Sequence, residues 1–158
     1  MRTWRAVRSQ VMREPLGSAA ETWSMTQTYR AWRHDAWPEE PLDLASLVDG
    51  PDGLLITLKP LHESTSTPVV QVHFARPFMY RSIDEGYRLK QQGEFECDRT
   101  SVVYTVADSP LVAELQQQSL GTLKNLNLVH YLVATANDWI DVISEVEPRV
   151  RRGPKGAA

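Results

Sequence analysis

The chain is short of nearly everything that marks a function on sight. It has one cysteine, Cys97, in 158 residues. A single thiol excludes an internal disulfide and fits a reducing compartment, with the cytoplasm as the expected location. No apolar run approaches the roughly 20 residues needed to cross a bilayer, so no membrane span is expected. The opening MRTWRAVRSQVMREP is basic but lacks the apolar stretch of a secretory signal. A phosphate-binding glycine loop, a dinucleotide fingerprint, a serine nucleophile elbow and a zinc-type Cys/His set are all missing. With one Cys and four scattered His, no metal or other cofactor is expected. No internal repeat is evident.

What is present is an ordinary globular composition, 42% hydrophobic and 23% charged, with enough length for one domain with a core. The net charge of −3 hides a partition. Residues 1–37 carry six Arg against three acidic groups, a balance of +3. Residues 38–148 carry seven basic against seventeen acidic groups, a balance of −10, and residues 149–158 add +4. An acidic body makes nucleic acid an unlikely ligand for the core and favours a basic partner, although an acidic surface also serves plain solubility.

The stretch from Leu128 to Val146 organises the rest. It reads as two strands joined by a turn at Thr135–Asp138. Tyr131 and Val133 alternate with His130, Leu132 and Ala134 on the first arm. Ile140 and Val142 alternate with Trp139, Asp141 and Ile143 on the second. Asn137 and Asp138 supply turn chemistry. Asp141 lies among apolar residues, where an unpaired buried carboxylate would be costly, so it faces water or has a partner.

The other elements follow in order. Residues 2–13 suggest a short Arg-rich helix, and 21–32 a strand. Residues 42–48 suggest a helical turn or two, closed by the turn sequence Asp49-Gly50-Pro51-Asp52-Gly53. Leu54–Leu58, Val69–Phe74 and Ser101–Val106 alternate as strands, and Glu94–Cys97 reads as a short edge strand. Ser82 and Glu85 form a capping-box pattern that predicts a helix over 83–92. Asp108-Ser109-Pro110 predicts a helix start, with the helix ending near Gly121. The tail 149–158 reads as basic and mobile. The expected fold is α+β: a curved antiparallel sheet of five to seven strands packed against two or three helices. Its divisions are an Arg/Trp-rich segment (1–37), one core domain (38–148) and a flexible tail (149–158).

Two clusters bear on function. Tyr80, Arg81, Asp84 and Glu85 gather at one junction. The simplest account is a helix cap with an internal Arg–carboxylate pair, and the functional one is a recognition edge, since Tyr and Arg are favoured at interface hot spots. His130 with Asp138 or Asp141 could form a base and its orienting carboxylate, with Ser101 or Ser119 as nucleophile. The plainer account of His130 is a half-buried strand residue bonded to a neighbour.

The order Tyr80-Arg81, Asp84-Glu85-Gly86, Arg88-Leu89, then Ser109, Ser119 and Gly121, then His130-Tyr131, Thr135, Asn137-Asp138, Ile140 to Ser144 and Pro148 resembles a group of small uncharacterised bacterial proteins. Some of these are similar to immunity partners encoded beside secreted toxins. The resemblance spans roughly residues 50–148. It implies a non-enzymatic protein-binding module that occludes a basic toxin domain through an acidic surface. The contact residues would be Tyr80, Arg81, Asp84, Glu85, His130, Asp138 and Asp141. Two alternatives stand beside it: a ligand-binding protein or enzyme with a pocket near His130 and Asp141, and an adaptor docking through the Arg/Trp segment.

Overall fold

The computed structural model describes residues 27–38, 40–62, 69–88 and 101–153. The expected helix over 2–13, the first part of the strand at 21–32, the far half of the 83–92 helix and the strand at 94–97 lie outside them.

The Leu128–Val146 stretch forms the expected hairpin. Strand β7 (Val129–Ala134) pairs antiparallel with β8 (Asp138–Ser144), Tyr131 opposite Val142 and Val133 opposite Ile140. The turn closes through Thr135, whose amide donates to the Asp138 carbonyl at 2.9 Å and whose Oγ1 accepts from the Asp138 amide at 3.0 Å. Around the hairpin lie β1 (Thr28–Ala31), β5 (Pro77–Asp84) and β6 (Val103–Ala107), giving one antiparallel sheet in the order β1-β6-β7-β8-β5. A second antiparallel sheet has the order β2-β3-β4-β9, built from β2 (Leu42–Gly50), β3 (Gly53–Pro60), β4 (Val69–Phe74) and β9 (Arg149–Gly153).

The sheets pack face to face. One core cluster joins Leu54, Ile56, Leu58, Val70, Val72 and Phe74 of the second sheet to Val103, Tyr131, Val133, Ile140 and Val142 of the first. The Phe74 and Tyr131 rings meet across this layer edge to face, centroids 5.4 Å apart. Full burial of each such aliphatic side chain contributes about 1.5–3 kcal/mol. Trp32 and Trp37 close one side: the Trp37 indole donates to the Trp32 carbonyl at 3.0 Å, and Arg152 reaches the Asp35 and Ala36 carbonyls, each at 3.2 Å. On the opposite face of the first sheet Tyr104, Val106, Leu132 and Trp139 form a smaller buried cluster. Helix α1 (Pro110–Gln118) contacts β7 and buries Leu111.

The architecture is mostly antiparallel sheet. Nine strands in two sheets and one α-helix are present among the described residues, in place of the expected single sheet of five to seven strands with two or three helices. Each difference has a local cause. Residues 42–48 are a strand, not a helical turn. A bulge between Leu44 and Ser46 resets the pleat, so Leu44 and Leu47 both face the core three residues apart, a helical spacing produced by one extra strand residue. Ser82, Ile83 and Asp84 do not begin a helix, because β5 continues opposite Ile140, Trp139 and Asp138. Asp84 instead caps a single 3-10 turn, Glu85–Tyr87, accepting from the Gly86 amide at 2.8 Å. The tail expected to be mobile from residue 149 enters the second sheet as β9: Val150 lies opposite Val72 and packs on the core, while Arg149 and Arg151 are exposed. No helix among the described residues is long and apolar enough to cross a membrane.

Candidate functional site

Pleat and register bring four polar side chains together on the outer face of the first sheet. Arg81 of β5 lies directly opposite Asp141 of β8, and Asp141 lies opposite Leu132, next but one to His130 on β7. Arg88, one residue past the 3-10 turn, returns over the same face, its guanidinium carbon 5.5 Å from the centroid of the Trp139 ring. Asp141 accepts from Arg81 Nε at 2.6 Å, from Arg88 Nη1 at 3.2 Å, from Arg88 Nη2, and from His130 Nε2 at 2.9 Å. The other ring nitrogen of His130, Nδ1, lies 2.8 Å from Ser109 Oγ, and the same oxygen caps α1 by accepting from the Val112 amide at 3.2 Å. A neutral imidazole with its proton on Nε2 satisfies all of these contacts: it donates to Asp141 and accepts the Ser109 hydroxyl proton.

Burial alone would raise the Asp141 carboxyl. The hydrogen bonds from His130, Arg88 and Arg81 outweigh it and hold the group well below the usual carboxylate range. The balance is uneven in charge: two guanidiniums face one carboxylate, and Arg88 Nε is buried with no hydrogen-bond partner among the described residues.

The order Ser109–His130–Asp141 has the connectivity of a nucleophile, base and orienting acid. Its surroundings oppose that use. Both Asp141 oxygens already serve Arg88. Ser109 Oγ is committed to the helix cap. His130 is 4% exposed and Asp141 2%, which keeps a substrate away from both. The arrangement instead ties α1, β7, β8, β5 and the segment after the 3-10 turn to one carboxylate.

The sequence-predicted residues divide accordingly. His130, Asp141 and Arg81 do converge, but the burial of His130 and Asp141 removes them from any contact surface, correcting their assignment as partner-binding charges. The alternation that put them on the outer face of the sheet could not say that this face is covered. Ser109, not Ser101 or Ser119, is the hydroxyl at His130. Ser101 donates to the Val103 carbonyl and Ser119 to the Gln116 carbonyl, at 2.9 and 2.8 Å. Ser109 was visible in the sequence as a cap, and Arg88 stood among the residues that carry the resemblance, with nothing in the sequence to pair it with Asp141.

The remaining predicted residues lie on the edge strand β5, in the 3-10 turn after it and at the start of β8 beside it. Asp84 and Asp138 are register partners at one end, and the Asp138 carboxyl is raised by burial and by the charges of Asp43 and Asp84. The Glu85 amide donates to the Asn137 carbonyl at 2.8 Å, fastening the 3-10 turn to the β7–β8 turn. Tyr87 beside it is 86% exposed. At the other end the Tyr80 hydroxyl donates to Asp49 Oδ2 at 3.3 Å, its own pKa raised by burial and by Asp49. There the β2–β3 turn and the start of β5 flank an open surface cavity of about 390 Å³, whose lining includes neither His130 nor Asp141. Among the described residues no group of three or more His, Cys, Asp or Glu is placed to hold a metal ion.

Comparison with protein-family models, curated proteins and solved structures finds no match.

Proposed function

We propose that this chain is a non-enzymatic protein-binding module that takes a basic partner along the β5 edge. Its action is occlusion: the acidic surface covers the functional groups of the basic partner, the way a toxin-neutralising immunity protein would act. The observation that carries the reading is the composition of that edge. Asp84 and Asp138 stand together at one end, and Asp49 and Asp52 at the other, with Phe78 and Tyr87 exposed along the same strand and turn. Carboxylates steer a cationic partner toward the surface, and the aromatic side chains supply apolar contact once it arrives. The single cysteine adds a reducing compartment, the cytoplasm, to the proposal.

The test is a pull-down with the full chain from its native cells, followed by the association rate with the basic protein that it captures. A one-to-one complex should form, with association slowing about tenfold or more between low salt and physiological ionic strength, where the Debye length is about 8 Å. An Asp84→Asn/Asp138→Asn variant should associate more slowly and lose much of the salt dependence. Association that ignores salt would remove the electrostatic basis of the proposal.

A further inference from the structure

The cavity at the upper end of β5 has a chemistry more specific than a general acidic edge. Its lining combines one carboxylate, Asp49, with the aromatic rings of Phe78 and Tyr80, the thioether of Met79, two prolines (Pro51 and Pro77) and the bare backbone of Gly50 and Gly53. At about 390 Å³ it falls at the small end of ligand sites and has room for a guanidinium on its stem. Two features hold it open. Gly53 sits at φ +110°, where a Cβ would lie 2.2 Å from the Phe74 carbonyl oxygen, so the turn passes against β4 with no side chain between them. Gly50 leaves open space where a Cβ would be. The Asp49 carboxylate is oriented by Tyr80, which donates to Oδ2, and its other oxygen has no partner among the described residues.

We propose that this cavity is a receptor for an arginine side chain of a basic partner, a site that rests on the protein-binding reading above. A guanidinium is planar: its edge can donate to the Asp49 carboxylate while its face stacks on Phe78 or Tyr80, a combination that the compact ammonium of Lys does not offer. An anionic ligand would meet the Asp49 carboxylate and no lining cation. A purely apolar one would strand that carboxylate. The cavity therefore selects the charge of its occupant through Asp49 and its shape through the rings.

The experiment is a titration of the isotope-labelled full chain with N-acetyl-arginine amide, followed by amide chemical shifts. N-acetyl-lysine amide and the neutral isostere N-acetyl-citrulline amide serve as comparisons. The expected result is saturable shifts at Gly50, Gly53 and Tyr80 with a low-millimolar dissociation constant for arginine, weaker binding of lysine and none of citrulline. Asp49→Asn should weaken arginine at least about fivefold, as should Phe78→Ala, with the rest of the spectrum unchanged to show that both variants fold. Shifts of equal size with citrulline, or arginine shifts that survive Asp49→Asn, would overturn the proposal, as would no saturable shift at these amides. Those failures concern the cavity alone: the wider reading falls only if the chain's association with a basic partner is insensitive to salt and to the Asp84 and Asp138 substitutions.

Discussion

Replacing Asp141 with Asn tests the account of the buried cluster most directly. The substitution keeps the size of the side chain and removes its charge. Asp141 accepts four hydrogen bonds, three of them from guanidinium groups. Asn offers one acceptor oxygen and turns an NH₂ toward donors that need acceptors. Bonds to charged groups are individually worth about 1.5–3 kcal/mol, but they share one carboxylate and do not add. The closer guide is the removal of one partner from a buried pair, about 3–5 kcal/mol, since it leaves the other charge buried and unmatched. Arg88 is that other charge: it is buried against Trp139, and its Nε has no partner among the described residues. Arg81, at 43% side-chain exposure, can turn to solvent and recover most of its loss. The expected cost of Asp141→Asn is therefore about 3–4 kcal/mol, a large share of a typical domain stability of about 5–15 kcal/mol. Urea unfolding followed by tryptophan fluorescence reads it. Adding Arg88→Met to the same variant removes the stranded cation, and the pair should be less destabilised than the sum of the two single changes by about 2 kcal/mol. A loss under about 1 kcal/mol for Asp141→Asn, or simple additivity of the pair, would refute the idea that Asp141 balances a buried Arg88.

Further outcomes follow from the same geometry. Because the folded state holds Asp141 ionised well below the ordinary carboxylate value near 3.9, its contribution is complete above about pH 5 and is lost as pH falls through and below 4, where the unfolded chain takes up a proton that the folded chain refuses. Urea midpoints between pH 7 and 2.5 should show this fall, and Asp141→Asn should flatten it. Asp138 has the opposite sign: its raised pKa means the folded state disfavours the charge, so Asp138→Asn should raise the urea midpoint at pH 7 and lose that advantage as the solution is acidified. Ser109→Ala removes the α1 cap and the hydroxyl at His130, and calorimetry should show a loss of about 1–2 kcal/mol. Gly53→Ala combines a positive φ with a Cβ contact on the Phe74 carbonyl, so thermal unfolding should report a cost of about 2 kcal/mol or more.

Local patterns carried much of this protein in the sequence alone. The β7–β8 hairpin, its turn and the assignment of its faces were legible because strand alternation is a property of the backbone and Thr135–Asp138 has few other uses. The cap and proline at the start of α1 were legible for the same reason, as were strands β3, β4 and β6. Asp141 was identifiable as a carboxylate in need of a partner, because an isolated one cannot be buried among Trp139, Ile140, Val142 and Ile143. Tertiary structure decided what non-local pairing decides. It turned residues 42–50 into a bulged strand, drew Ser82–Asp84 away from a helix by pairing them with β8, and recruited Arg149–Gly153 into the second sheet. It also chose Ser109 and Arg88 as the partners of the His130–Asp141 pair, residues 21 and 53 positions away from those they contact. Spacing along the chain says nothing about such distances: they exist only once two sheets have packed and one face has been closed to water. That closure is what separates a buried clasp at Asp141 from the exposed carboxylates of Asp84 and Asp49 at the two ends of β5.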